Sequence, residues 1–125
     1  KSKIYILKDR KPNWNYFYEI NVFTGSRKDS GTKSNAYINL FGENTHSKVR
    51  ELKSENSNEN KYLLKRSSVD TFIMSVEKSL GKLYMCRVFH DNSGDTQNEA
   101  SWFLKHIIVT DLQTKEKFIF LCEKW

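Results

Sequence analysis

Residues 16–25 read YFYEINVFTG, and in that run Tyr18, Ile20 and Val22 recur at every second position before Thr24-Gly25 closes it. A period of two places these three side chains on one face of an extended strand, with Phe17, Glu19 and Asn21 on the other. Working outward, the same alternation returns in Ala36, Ile38 and Leu40, ended by Phe41-Gly42, and again from Val69 to Val76 through Phe72 and Met74. Leu83 to His90 sets Tyr84, Cys86 and Val88 on one face, with Gly81 supplying the turn before it. Trp102 to Thr110 and Phe118 to Cys122 complete the set, and the polar stretch Asp111 to Lys117 between them suits a hairpin. Seven or eight short strands without a sustained 3.6-residue apolar period predict an all-β fold, an antiparallel sandwich of two roughly four-stranded sheets.

The rest of the chain is less regular. Residues 1–15 read as a juxtamembrane linker or an edge strand, with an apolar patch at Ile4, Tyr5, Ile6 and Leu7 followed by Lys8, Asp9, Arg10, Lys11 and Pro12. Between Thr45 and Lys61 the composition turns to Asn, Ser, Glu and Lys, which predicts a long mobile loop with at most a short strand near Lys48 to Leu52. With 125 residues the chain has room for one core, to which eight Phe, six Tyr and three Trp bring large apolar rings.

Three blocks carry a family resemblance: YEINVFTGSRKDSGTKSNAYINLFG at 18–42, SSVDTFIMSVEKSLGKLYMCRVFHDNSG at 67–94 and SWFLKHIIVTDLQTKEKFIFLCEKW at 101–125. In this order and spacing they resemble the PLAT/LH2 domain, and HDNSG followed by WFLKHIIVTDLQT resembles its polycystin-1-like branch. The resemblance spans residues 16–125. It implies a non-catalytic module in a cytoplasmic loop of a multi-pass membrane protein, binding anionic phospholipids such as phosphatidylserine and phosphoinositides at the inner face of the membrane. The alternative reading is a protein-interaction module that recruits cytosolic trafficking or signalling partners.

The resemblance further implies one calcium ion between two loops, one offering Asp29, Gly31 and Thr32 and the other His90, Asp91 and Asn92. Calcium takes six to eight oxygens, so two carboxylates with backbone carbonyls and waters form a workable set. Many related domains carry an acid after the Gly-Thr pair, whereas this chain has Lys33, which removes a ligand and repels a cation. The alternative is a metal-free site in which Asp91 and Asn92 cap a turn. Asp70 reads as a turn-stabilising carboxylate.

The net charge of +6 favours polyanionic partners. Arg27, Lys28 and Lys33 in the first loop, with Lys48, Arg50, Lys53, Lys61, Lys65 and Arg66 around the Ser/Asn-rich segment, form the candidate lipid-binding face. Ser47, Ser54, Ser57, Ser67 and Ser68 are candidate phosphorylation sites beside those cations. Trp102 and Trp125 are assigned to the core, and Cys86 and Cys122 read as reduced core residues. Histidines at metal spacing, a nucleophile elbow and an RNP-like aromatic signature are absent from the sequence, which argues against an enzyme and against nucleic acid as a partner. No apolar stretch approaches the length of a membrane-spanning helix, so membrane contact is expected to be peripheral or to come from segments outside these 125 residues.

Overall fold

A computed structural model describes residues 3–25, 35–90 and 104–124, apart from the side chains of 61, 62 and 122–124. Trp102, Trp125 and the Cys122 side chain lie outside this set, and so do the core roles expected of them.

The chain forms β1 (Ile4–Ile6), β2 (Tyr16–Thr24), β3 (Ala36–Gly42), β4 (Arg50–Glu51), a 3-10 helix (Ser57–Tyr62), β5 (Val69–Val76), β6 (Leu83–His90), β7 (Leu104–Asp111) and β8 (Lys117–Lys124). One sheet has the order β1-β5-β2-β7-β8 and the other β4-β3-β6. The division is five strands and three rather than four and four, because Ile4 to Ile6 pairs in parallel with Thr71 to Ile73 and extends the larger sheet.

The alternating residues meet between the sheets. Tyr18, Ile20, Val22, Ile38, Leu40, Phe72, Met74, Ile107 and Val109 are all sealed from solvent, and Leu7 joins them from the segment after β1. That segment also links the sheets: Lys8 N–H donates to the Lys53 carbonyl, and Glu55 N–H to that of Ile6. The buried Tyr18 hydroxyl accepts the Leu80 N–H at 3.0 Å, so its polar end is satisfied at the core margin. At the β7–β8 hairpin the Asp111 carboxylate accepts from the Tyr16 hydroxyl at 2.5 Å and from the Gln113 and Thr114 N–H groups.

Two expectations change. Tyr84 is 67% exposed rather than inward, because β6 carries an extra residue opposite β3, where Gly42 pairs with Leu83 and Phe41 with Met85. Beyond that bulge the alternation resumes with the half-buried Cys86 and Val88 packed on the core. The 45–61 segment, in turn, is pinned down. Ser47 and Ser54 are buried: Ser47 Oγ accepts the Leu40 N–H and donates to Asn39, and Ser54 Oγ donates to Glu59. Neither hydroxyl is open to a kinase, whereas Ser57 and Ser67 are exposed and Ser68 is partly so.

Candidate functional site

The strand ends Thr24, Ala36, Val69, His90 and Leu104 gather at one end of the sandwich, through the pairings Phe23–Val69, Thr24–Leu104 and Ala36–His90. Asp29, Gly31, Thr32, Asp91 and Asn92, with Arg27, Lys28 and Lys33, lie outside the described residues. Of the expected calcium set, His90 is described, and it pairs with Ala36 in the ladder. Among the described residues no group of three or more His, Cys, Asp and Glu side chains is placed to hold a metal.

At this end the turn from Leu64 to Ser68 presents two cations. Leu63 and Leu64 sink into the core while Lys65 and Arg66 stand exposed. The turn requires left-handed backbone at Leu64 (φ 59°) and Ser67 (φ 62°), a strained state for side chains other than glycine. Asp70 offsets that strain, its Oδ2 accepting the Leu64 N–H and the Ser68 hydroxyl, each at 2.9 Å. Its turn-stabilising role, expected from sequence, is thereby given a geometry. Burial pushes the Asp70 carboxyl up from its ordinary value, and the two hydrogen bonds only partly counter this. Ser67 N–H reaches the Gly25 carbonyl and Thr24 N–H that of Ser68, so Lys65 and Arg66 are held beside the end of β2.

Among the described residues, Lys48, Arg50 and Lys53 of the candidate lipid-binding face do not join this pair. Lys53 lies 3.2 Å from Glu51, which Lys8 also approaches at 3.5 Å. Lys48 is exposed two residues before Arg50, toward the Gly42 end of β3 and so away from the Lys65 turn. Arg50 is withdrawn from the lipid-binding set, being only 4% exposed. Its Nη1 donates to the Ser75 carbonyl and its Nη2 to that of Lys8, each at 2.9 Å, so the guanidinium ties β4 to the larger sheet instead of facing solvent.

Beside Arg50, at that far end, a cavity of about 120 Å³ is lined by Trp14, His46, Lys48, Val76, Lys78 and Leu80 among others. Little in the sequence marks it, because its walls come from three separated segments and Trp14 sits in a stretch that reads as linker. The one pointer in the sequence is an isolated tryptophan amid Lys and Asn.

A family model for the PLAT/LH2 domain matches residues 18–125. The chain belongs to the PLAT/LH2 domain family. The β1 strand and Leu7 precede the matched region yet are part of the sandwich. Mouse polycystin-1-like protein 3 is 34% identical over 125 residues, all of this chain and 6% of that protein. Human polycystin-1 is 38% identical over 108 residues, 86% of this chain and 2% of its own length. This PLAT domain therefore spans a small part of the relatives it matches. A coral 8R-lipoxygenase crystal structure superposes with a TM-score of 0.73 at 19% identity, covering 87% of this chain and 15% of that one, which supports the shared fold. Among the described residues no helix is long and apolar enough to cross a membrane.

Proposed function

We propose that this PLAT domain is a non-catalytic module of a larger polycystin-type membrane protein, docking reversibly on anionic phospholipids of the cytoplasmic leaflet. The observation that carries the reading is the turn displaying Lys65 and Arg66 at the loop end, free of carboxylate partners among the described residues. Each cation near an anionic surface contributes on the order of 1 kcal/mol, so these two with Arg27, Lys28 and Lys33 give weak, salt-sensitive attachment. A single calcium ion, held by Asp29, Gly31, Thr32, Asp91 and Asn92 with the His90 backbone, would add positive charge at the same end. In support, the coral 8R-lipoxygenase structure is described as showing calcium activation via a C2-like domain. Phosphorylation of Ser67, exposed next to Arg66, would oppose attachment.

Co-sedimentation with phosphatidylserine or phosphatidylinositol 4-phosphate vesicles at low salt tests the reading. Wild type is expected to pellet and the Lys65→Glu/Arg66→Glu variant to remain largely in solution. No pelleting of wild type with or without calcium refutes it. A protein-recruiting role is the second reading, favoured by Ile119 and Leu121, 64% and 79% exposed on the outer face of β8.

A further inference from the structure

Buried cations normally pair with a carboxylate, because a guanidinium taken out of water loses hydration that backbone carbonyls only partly replace. Arg50 departs from this. No carboxylate among the described residues lies within ion-pair reach of it, two of its five N–H donors go to carbonyls, and its buried Nε has no partner. Asp9 acts on it only at longer range, and burial lowers its pKa from the ordinary value.

This guanidinium borders the cavity at the far end of the sandwich. Its Cζ lies 5.5 Å from the centre of the Trp14 ring, and Lys11 Nζ lies 5.6 Å from the same ring. Val76, Leu80 and Trp14 give the cavity an apolar floor and wall. Lys48 and Lys78, both exposed, stand on its rim, and Glu77 is the acid there, so three cations face one carboxylate. His46 Nδ1 is engaged with the Ser47 carbonyl at 2.8 Å, which leaves Nε2 as the ring's second polar atom. At about 120 Å³ the space admits a tetrahedral oxyanion, since one water needs roughly 10–15 Å³ by the same measure.

We infer that this cavity is a second anion site, for a phosphate monoester, gripped by Lys48 and Lys78 with the uncompensated charge of the buried Arg50 behind them and the carbon portion of the ester against Trp14. The site lies at the opposite end from Lys65 and Arg66, and one bilayer surface cannot touch both ends of the sandwich together. The phosphate is therefore carried by a soluble molecule rather than by the membrane. This choice of carrier rests on the membrane reading above, whereas the site itself does not.

The test titrates inorganic phosphate and O-phosphoserine into the 125-residue chain while following the Trp14 indole N–H signal by NMR. The expected result is a saturable shift, with affinity about tenfold weaker in Lys48→Gln and in Lys78→Gln, as loss of one charge-assisted hydrogen bond implies. Arg50→Lys is expected to abolish it, but Arg50 also ties the sheets together, so the two exposed lysines decide the matter independently of folding. Absence of a saturable shift with either probe, or shifts unchanged in both lysine variants, overturns the site. If only phosphatidylinositol 4-phosphate vesicles shift the Trp14 signal, the soluble carrier is overturned. If phosphate binds normally while neither wild type nor Lys65→Glu/Arg66→Glu pellets with vesicles, the membrane reading fails and the site stands.

Discussion

Gly42→Ala gives the most direct test of how the sandwich closes at its far end. A Cβ at Gly42 would sit 2.1 Å from the Leu80 carbonyl oxygen and 2.7 Å from its carbon, far inside contact distance and against backbone that has no rotamer to change. Relieving it requires roughly 1 Å of separation between β3 and the 77–82 connection. That connection is committed on both sides. The Leu80 carbonyl accepts the Asn44 N–H at 2.9 Å, and the Leu80 N–H donates to the Tyr18 hydroxyl at 3.0 Å. Overpacking costs about 1–3 kcal/mol and one strained or lost hydrogen bond about 1 kcal/mol, so a loss of about 3 kcal/mol is expected. At this chain length that lowers Tm by about 12 °C. Urea unfolding followed by tryptophan fluorescence gives the free energy, and thermal circular dichroism gives Tm. Gly81→Ala is the internal comparison: its φ of +83° strains any side chain, but the contacts of about 3.0 Å to Asn44 are softer, so about 1 kcal/mol is expected. A Gly42→Ala variant within about 0.5 kcal/mol of wild type would mean that the tight approach of β3 to Leu80 is not required, and the reasoning would fail.

Other expectations follow from the same geometry. Because burial raises the Asp70 carboxyl, the folded state binds its proton more readily than the unfolded chain, so Asp70 costs stability at neutral pH, and the cost is relieved as pH falls through the raised value. Asp70→Asn should therefore gain on wild type at pH 7 and lose that advantage toward pH 4, as measured by urea unfolding across pH; a constant difference would contradict this. Burial also pushes Asp111 upward, but its bonds from Tyr16, Gln113 and Thr114 prevail and hold it below its ordinary value. Its stabilisation is thus present above the unfolded pKa and is lost as pH falls through the depressed value, and Tyr16→Phe should weaken that acid-side loss in the same assay. Calorimetric calcium titration of wild type and Asp91→Ala tests the loop site: heat in wild type that persists in the variant removes Asp91 from the ligand set.

What could be read from the sequence tracks where one physical signal dominates. Strands β2, β3 and β5 are legible because the face turned to the core is apolar at every second position, through Tyr18, Ile20, Val22, Ala36, Ile38, Leu40, Phe72 and Met74, even where polar residues such as Thr71 and Ser75 are buried on the other face. Alternation alone puts Tyr84 on the inner face, because a bulge adds a residue without leaving a mark in the pattern. Arg50 reads as a surface cation because side-chain type carries no information about the two carbonyls, from residues 25 and 42 positions away, that hold it. The 45–61 segment looked mobile since its order comes from polar side chains bonding backbone and one another, as Ser47 and Ser54 do, with no apolar period to announce them. Of the candidate site, the Lys65–Arg66 turn was visible as charge, whereas the Trp14 cavity depends wholly on long-range assembly.

The parallel pairing of β1 has a mechanical consequence. A pull at Lys3 along the strand axis loads the β1–β5 ladder in shear, together with the Leu7–Ile73, Lys8–Lys53 and Ile6–Glu55 bonds that reach both sheets, so these must yield nearly at once. A pull at right angles peels the same bonds one after another from Ile4. The short edge strand thus makes the domain stiff to tension in one direction and compliant in the other.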